Sequence, residues 1–148
     1  MLTRIIRAVI LAAVLVPTGT GLAMVHGYKL GSFRIGHLWA PPSEAGHGVP
    51  VYGAILNMGK ASVTLAGATA EIGKDVRVRR LDHGEAAYSD TVSFLPGKPL
   101  AFAKWREHLF VEDNSASFYT GDHFKMTLDF AKAGKIDVEV LVEATPSD

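Results

Sequence analysis

The chain has 148 residues, with 15 basic and 15 acidic side chains in balance, 48% apolar residues and no cysteine. Without a basic excess it lacks the surface that phosphate backbones need, which excludes a nucleic-acid partner. Without cysteine it has no disulfide, no thiolate metal site and no cysteine nucleophile, so its fold must be held by an apolar core alone.

Residues 1–23 read as an export signal. Arg4 and Arg7 form a positive start, Ala8 to Val16 an apolar run, and Pro17 breaks that run before the small-x-small site Gly21-Leu22-Ala23. The run is shorter than the about 20 residues of an ordinary membrane span. This pattern predicts a periplasmic protein cleaved after Ala23, with an uncleaved N-terminal signal as its only route to a membrane. Residues 24–142 are then one domain, and residues 143–148 a disordered tail.

Nothing in 24–142 has the length and 3.6-residue period of a substantial helix. Short apolar runs between turn residues predict strands at 32–38, 51–57, 62–69, 76–81, 100–104 and 108–112. The clearest pair closes the domain. Phe124, Met126, Leu128 and Phe130 alternate with Lys125, Thr127 and Asp129, and Ile136, Val138, Val140 and Val142 alternate with Asp137, Glu139 and Leu141. A Gly-containing turn at 131–135 joins them into a hairpin with one face in the core. Seven or eight strands at this spacing predict an all-β Greek-key sandwich or barrel.

The stretch His26-Gly-Tyr-Lys-Leu-Gly-Ser-Phe-Arg-Ile-Gly-His-Leu-Trp-Ala40 resembles the opening of mature periplasmic copper chaperones of the PCu(A)C family. Leu38 stands where that family has a proline, and Pro41 where it has an arginine. Tyr52-Gly-Ala-Ile-Leu-Asn57-Met-Gly59 is similar to the family's Tyr-x-x-Ile-x-Asn-x-Gly strand, and Val63-Thr-Leu-Ala-Gly-Ala-Thr69 to its Leu-Val-Gly-Ala-Ser strand. Leu95-Pro96-Gly97 resembles its Pro-Ala-Gly turn, and Gly121-Asp122 with the closing hairpin matches its ending. The resemblance implies a cupredoxin-like β-fold, copper carried as Cu(I), and a copper-receiving periplasmic protein as partner.

Cu(I) is a soft ion, suited by thioether and imidazole ligands. The family uses a histidine at a strand end, a methionine further on and a downstream His-x-Met. Carried onto this chain, the first histidine falls on Arg79, His-x-Met falls on His108-Leu109-Phe110, and a further methionine falls on Glu112. No methionine lies between Leu81 and Leu95. His108 is the retained ligand, and the family's site is altered or degenerate. A rebuilt site would draw on His83, four residues after Arg79, with oxygen from Asp82, Glu85 or Glu112. Such a His/His/carboxylate set suits Cu(II) or Zn(II) better than Cu(I). The metal candidates are therefore His108 and His83.

The remaining histidines read differently. His37, beside Trp39, reads as structural. His47 reads as a solvated loop residue and His123 as exposed on the outward face of the penultimate strand. His26 would chelate copper with its own amino group if cleavage fell after Val25. Met126 reads as core filling.

The chain has no Gly-x-Ser-x-Gly elbow, phosphate loop or HExxH, so it does not read as an enzyme. Arg77, Arg79 and Arg80 read as the positive solvent face of a strand, or as a docking patch for an acidic partner. Phe102, Trp105, Phe110, Phe118 and Tyr119 give that region an aromatic character, and aromatics with Arg are favoured at interfaces. The second functional class is thus a metal-free interaction module on the same β-scaffold.

Overall fold

Period-two alternation fixes the fold's register. In the closing hairpin, Phe124, Met126 and Leu128 are fully buried while His123 and Lys125 are exposed, and Val138, Val140 and Val142 are buried from the opposing strand. The structure, a computed structural model, describes residues 27–145; the predicted export signal at 1–23 and residues 24–26 and 146–148 lie outside the described residues.

The strands are β1 (Tyr28–Leu30), β2 (Phe33–Ile35), β3 (Leu38–Ala40), β4 (Val49–Val51), β5 (Gly53–Asn57), β6 (Val63–Leu65) and β7 (Gly67–Ala70). They continue with β8 (Gly73–Asp82), β9 (Glu85–Ser89), β10 (Val92–Phe94), β11 (Pro99–Phe102), β12 (His108–Val111), β13 (His123–Asp129) and β14 (Lys135–Val142). The helical content of the described residues is one 3₁₀ turn, Ala131–Ala133. One sheet runs β1-β2-β5-β11, and the larger runs β3-β14-β13-β7-β8-β12-β4 with β9 hairpinned onto β8. A two-stranded ribbon, β6 with β10, completes the fold. All pairings are antiparallel except β3 beside β14.

The core between the sheets centres on phenylalanines. The Phe33 and Phe130 rings stack at 4.4 Å, and Phe94 meets Phe33, Phe130 and Phe102 edge-on at 5.9, 5.8 and 6.3 Å. Such pairs contribute about 0.5–1.5 kcal/mol each beyond the area they bury, which matters in a domain without disulfides. Met126 is fully buried among them, as its pattern predicts. The β13–β14 turn is closed by Asp129, which accepts from the Ala131 N–H at 2.8 Å and pairs with the Lys135 ammonium at 3.0 Å. The Lys135 hydrogen bond, and then that of Ala131, hold the Asp129 carboxyl below its usual range.

Three predicted strands are each two strands in different sheets. The 32–38 segment divides into β2 and β3, the 51–57 segment into β4 and β5, and the 62–69 segment into β6 and β7. The first two break side by side. Their pairing runs on through the break by Gly36 N–H to Ala54 O (2.8 Å) and by a Trp39–Tyr52 bridge, so one long ribbon turns a corner from the small sheet into the large one. Gly53, with φ of +142°, makes that corner.

Glu143, directly after β14, is tied to the sheet. The Glu143 N–H donates to Ala40 O at 2.9 Å, and its carboxylate takes His37 Nε2 at 2.9 Å. His37 therefore has the structural, hydrogen-bonded role its sequence context suggests.

Candidate metal-site face

Strand β12 alternates inward and outward: Leu109 and Val111 are buried in the core, while His108 and Phe110 face outward. Strand β8 does the same, with Val76 and Val78 inward and Arg77 and Arg79 outward. The antiparallel register sets His108 opposite Arg79 and Phe110 opposite Arg77. On the far side of β8, Tyr88 of β9 lies opposite Arg79. On the far side of β12, the β4 register continued by one residue brings Tyr52 opposite His108, and Tyr52 bridges on to Trp39. Across the strands this makes a row of Tyr88, Arg79, His108, Tyr52 and Trp39.

The side chains of this row interlock. Tyr52 meets Trp39 at 4.9 Å and His108 at 5.4 Å between ring centroids. The Arg79 guanidinium carbon lies 5.0 Å over the Phe110 ring, and that of Arg77 lies 4.9 Å over Tyr88. Such cation–π contacts contribute about 0.5–2 kcal/mol, depending on desolvation. Phe110 sits against Gly48, where an added Cβ would fall 2.0 Å from the ring. Glycine at 48 leaves the space that the far end of the Phe110 ring occupies. Burial pushes the Tyr52 phenol above its usual value, and the nearby Arg79 charge pulls it back down.

His108 is only 2% exposed. Its Nδ1 lies 3.0 Å from Arg106 O, and a carbonyl can only accept, so Nδ1 carries the proton. Nε2 is left with its lone pair, buried and without a hydrogen-bond partner. This is the tautomer and orientation a metal-ligating imidazole needs. The surroundings do not complete a Cu(I) site. Met126 is in the core and Met58 lies after β5, bonded through its N–H to Ser32 O, so no thioether of the described residues lines this row. Among the described residues no three or more of His, Asp and Glu gather as a metal cluster.

His83 is not brought to His108. It occupies the two-residue turn between β8 and β9, where His83 and Gly84 have φ of +49° and +89°. Both values are positive, as a tight hairpin turn of the type I′ kind requires. Four residues separate it from Arg79, about 13 Å of extended strand. Its side chain is 98% exposed and lies 3.6 Å from Asp82. His47 is exposed with Nδ1 at 3.3 Å from Ala45 O, and His123 is exposed at the start of β13. Tyr52, Trp39, Tyr88 and Gly48 were not among the sequence candidates. The signal for Tyr52 was one of register: it is the residue that faces His108 once β4 is paired with β12.

The comparisons agree with this architecture. The family model described as lipoprotein LpqE-like matches residues 33–142. No curated protein matches by sequence. Among solved structures, the copper-bound PCuAC domain from PmoF2 superposes with a TM-score of 0.72 at 26% identity, over 81% of this chain and 99% of that one. The apo PCuAC domain from PmoF1 gives 0.71 at 23% identity, over 81% and 100%. The CuI form of DR1885 from Deinococcus radiodurans gives 0.57 at 16%, over 74% and 78%. The predicted all-β, cupredoxin-like architecture is therefore the one found, and the chain belongs to the LpqE-like family, on the PCuAC fold.

Proposed function

We propose that this chain is an exported copper-handling protein of the PCuAC type with a degenerate strand site, in which His108 is the retained imidazole ligand. Its role is carriage of Cu(I) as cargo to a periplasmic copper-receiving protein, not catalysis. The observation that carries the reading is His108 Nε2: buried, unpartnered and held in ligand tautomer by Arg106 O. The copper-bound PmoF2 domain, similar over nearly its whole length, supports copper as the ion. Export rests on the pattern of residues 1–23 and on the word lipoprotein in the family's description. His83, with Asp82, offers a separate imidazole at the hairpin tip, and a shared ion would require that hairpin to fold back over the sheet.

Cu(I) titration of the purified protein against a competing chelator tests this. The expected result is one ion per chain with a Kd of about 1 μM or below, weakened at least about tenfold in His108→Ala and little changed in His83→Ala. Weaker binding, or binding indifferent to His108, overturns the reading.

A second reading has its own observation. Arg77 is paired with Asp90 at 3.3 Å and Glu112 at 3.7 Å, but Arg79 has no carboxylate within 4.0 Å among the described residues. Trp105, in the loop before β12, is 81% exposed. A metal-free module that docks an acidic partner on this arginine–aromatic face accounts for both. Replacing Arg77, Arg79 and Arg80 together with Ala then abolishes capture of that partner while the fold's far-UV spectrum stays unchanged; capture that survives rules the module out.

A further inference from the structure

We propose that Arg79 is the residue that holds down metal affinity at the His108 position, its guanidinium standing as a fixed cation at the directly opposite strand position. This deepens the copper-handling reading and rests on it for the choice of His108 as the metal's imidazole. The arrangement argues it from three sides.

The first is polar accounting. Two buried side-chain atoms of the described residues lack a hydrogen-bond partner, Arg79 Nε and His108 Nε2. Buried polar atoms are satisfied in the large majority of cases, so an orphan marks a place with a specific cause. Here one orphan is a donor and the other an acceptor, and their residues stand directly opposite in the β8–β12 register. The nitrogen a metal would need thus belongs to the register partner of a residue that carries an unpaired N–H.

The second is charge. Asp90 and Glu112 offset Arg77, whereas the Arg79 charge meets no carboxylate within 4.0 Å among the described residues. A unit positive charge at about 5 Å, the general spacing of directly opposite side chains in an antiparallel pair, weakens binding of a monovalent ion on the order of a hundredfold at an effective dielectric constant of about 20. A divalent ion is repelled more strongly.

The third is fixation. The guanidinium is not free to swing at no cost, because it lies 5.0 Å over the Phe110 ring, and that ring is seated on Gly48. Tyr88 stands on its other side, opposite Arg79 in the β8–β9 register. Phe110 adds surface for the cation and no donor for a metal.

Cu(I) competition titrations on the full chain, comparing wild type, Arg79→Ala, Arg79→Lys and the Arg79→Ala/His108→Ala pair, test the inference. Arg79→Ala is expected to bind one Cu(I) on the order of a hundredfold more tightly than wild type. Arg79→Lys, which keeps the charge, is expected to stay near wild type, and the gain should vanish when His108→Ala is added. Arg79→Gln keeps most of the side-chain reach without the charge and serves the same test if Arg79→Ala does not fold. A folded neutral variant that binds no better than wild type overturns the inference, as does a gain that persists without His108. The two proposals fail separately. Wild type that binds no Cu(I) beside an Arg79→Ala that does removes the copper-handling reading and leaves this one. Tight wild-type binding through His108 that neutral variants do not improve does the reverse.

Discussion

Asn57→Asp, the exchange of one side-chain amide nitrogen for oxygen, is expected to destabilise the fold by about 4 kcal/mol or more at pH 7. Asn57 is completely buried. Its Nδ2 donates to Ala61 O at 2.8 Å and to Phe94 O at 3.1 Å, while its Oδ1 accepts from the Gly59 N–H at 2.9 Å. A carboxylate keeps the last bond and loses both donors. It would face two carbonyl oxygens with a negative charge, and each orphaned carbonyl alone costs about 1–3 kcal/mol. Protonation restores one donor, so the folded state would prefer the neutral acid while the unfolded chain ionises near the ordinary value of about 4. The destabilisation therefore grows as pH rises above that value and shrinks below it. Urea unfolding of the variant and wild type at pH 7 and pH 4 measures both terms. A loss under about 1 kcal/mol at pH 7 would show that Asn57 is not the joint described here.

Asn57 also shows what was legible in the sequence. Two short motifs, Tyr52-Gly-Ala-Ile-Leu-Asn57-Met-Gly59 and Leu95-Pro96-Gly97, point separately to the PCuAC resemblance. In the fold they meet: the Asn57 side chain binds the Gly59 N–H, and the Asn57 backbone carbonyl accepts from the Gly97 N–H at 2.7 Å. The motifs are recognisable because each serves one joint between β5, the following loop and β10. Strands with a buried alternating face, β12, β13 and β14, were likewise readable. Strand β9 was not, since Glu85-Ala-Ala-Tyr-Ser89 is almost wholly exposed and has no apolar stripe to give a period. The division of 32–38 and 51–57 between sheets escaped for another reason. Alternation reports which side of a strand is buried, and says nothing of where that strand leaves one sheet for the next. At the candidate site, the strand position of His108 followed from the motif, and Arg79 and Phe110 stand where the resemblance puts two of that family's ligands. The pairing of His83 with His108 depended on turn geometry, and a two-residue turn leaves no slack for the loop shift that pairing needs.

Gly53 is where fold and candidate site are joined, and Gly53→Ala is expected to cost about 3–5 kcal/mol, from backbone strain and overpacking together. Its φ of +142° lies in a region L side chains rarely adopt. A Cβ there would fall 2.5 Å from His37 O and 2.6 Å from Leu38 Cδ2. The carbonyl belongs to the ribbon turning the same corner, and Leu38 is completely buried, so neither neighbour can yield cheaply. The corner has a consequence beyond stability. Because the chain bends at Gly53, Tyr52, directly after β4, lies beside His108 and Trp39, while Ile55, two residues beyond the glycine, is fully buried in the core. Forcing 51–57 towards a regular strand would tilt Tyr52 off the His108 ring and change the setting of Trp39. Denaturant midpoints measure the loss of stability. In whatever fraction of Gly53→Ala remains folded, the indole signals of the two tryptophans separate the local effect from the global one: Trp39 should shift, while exposed Trp105 should not. A variant that unfolds with wild-type midpoint and unshifted Trp39 would mean that the corner tolerates a side chain. The placement of Tyr52 would then owe nothing to glycine.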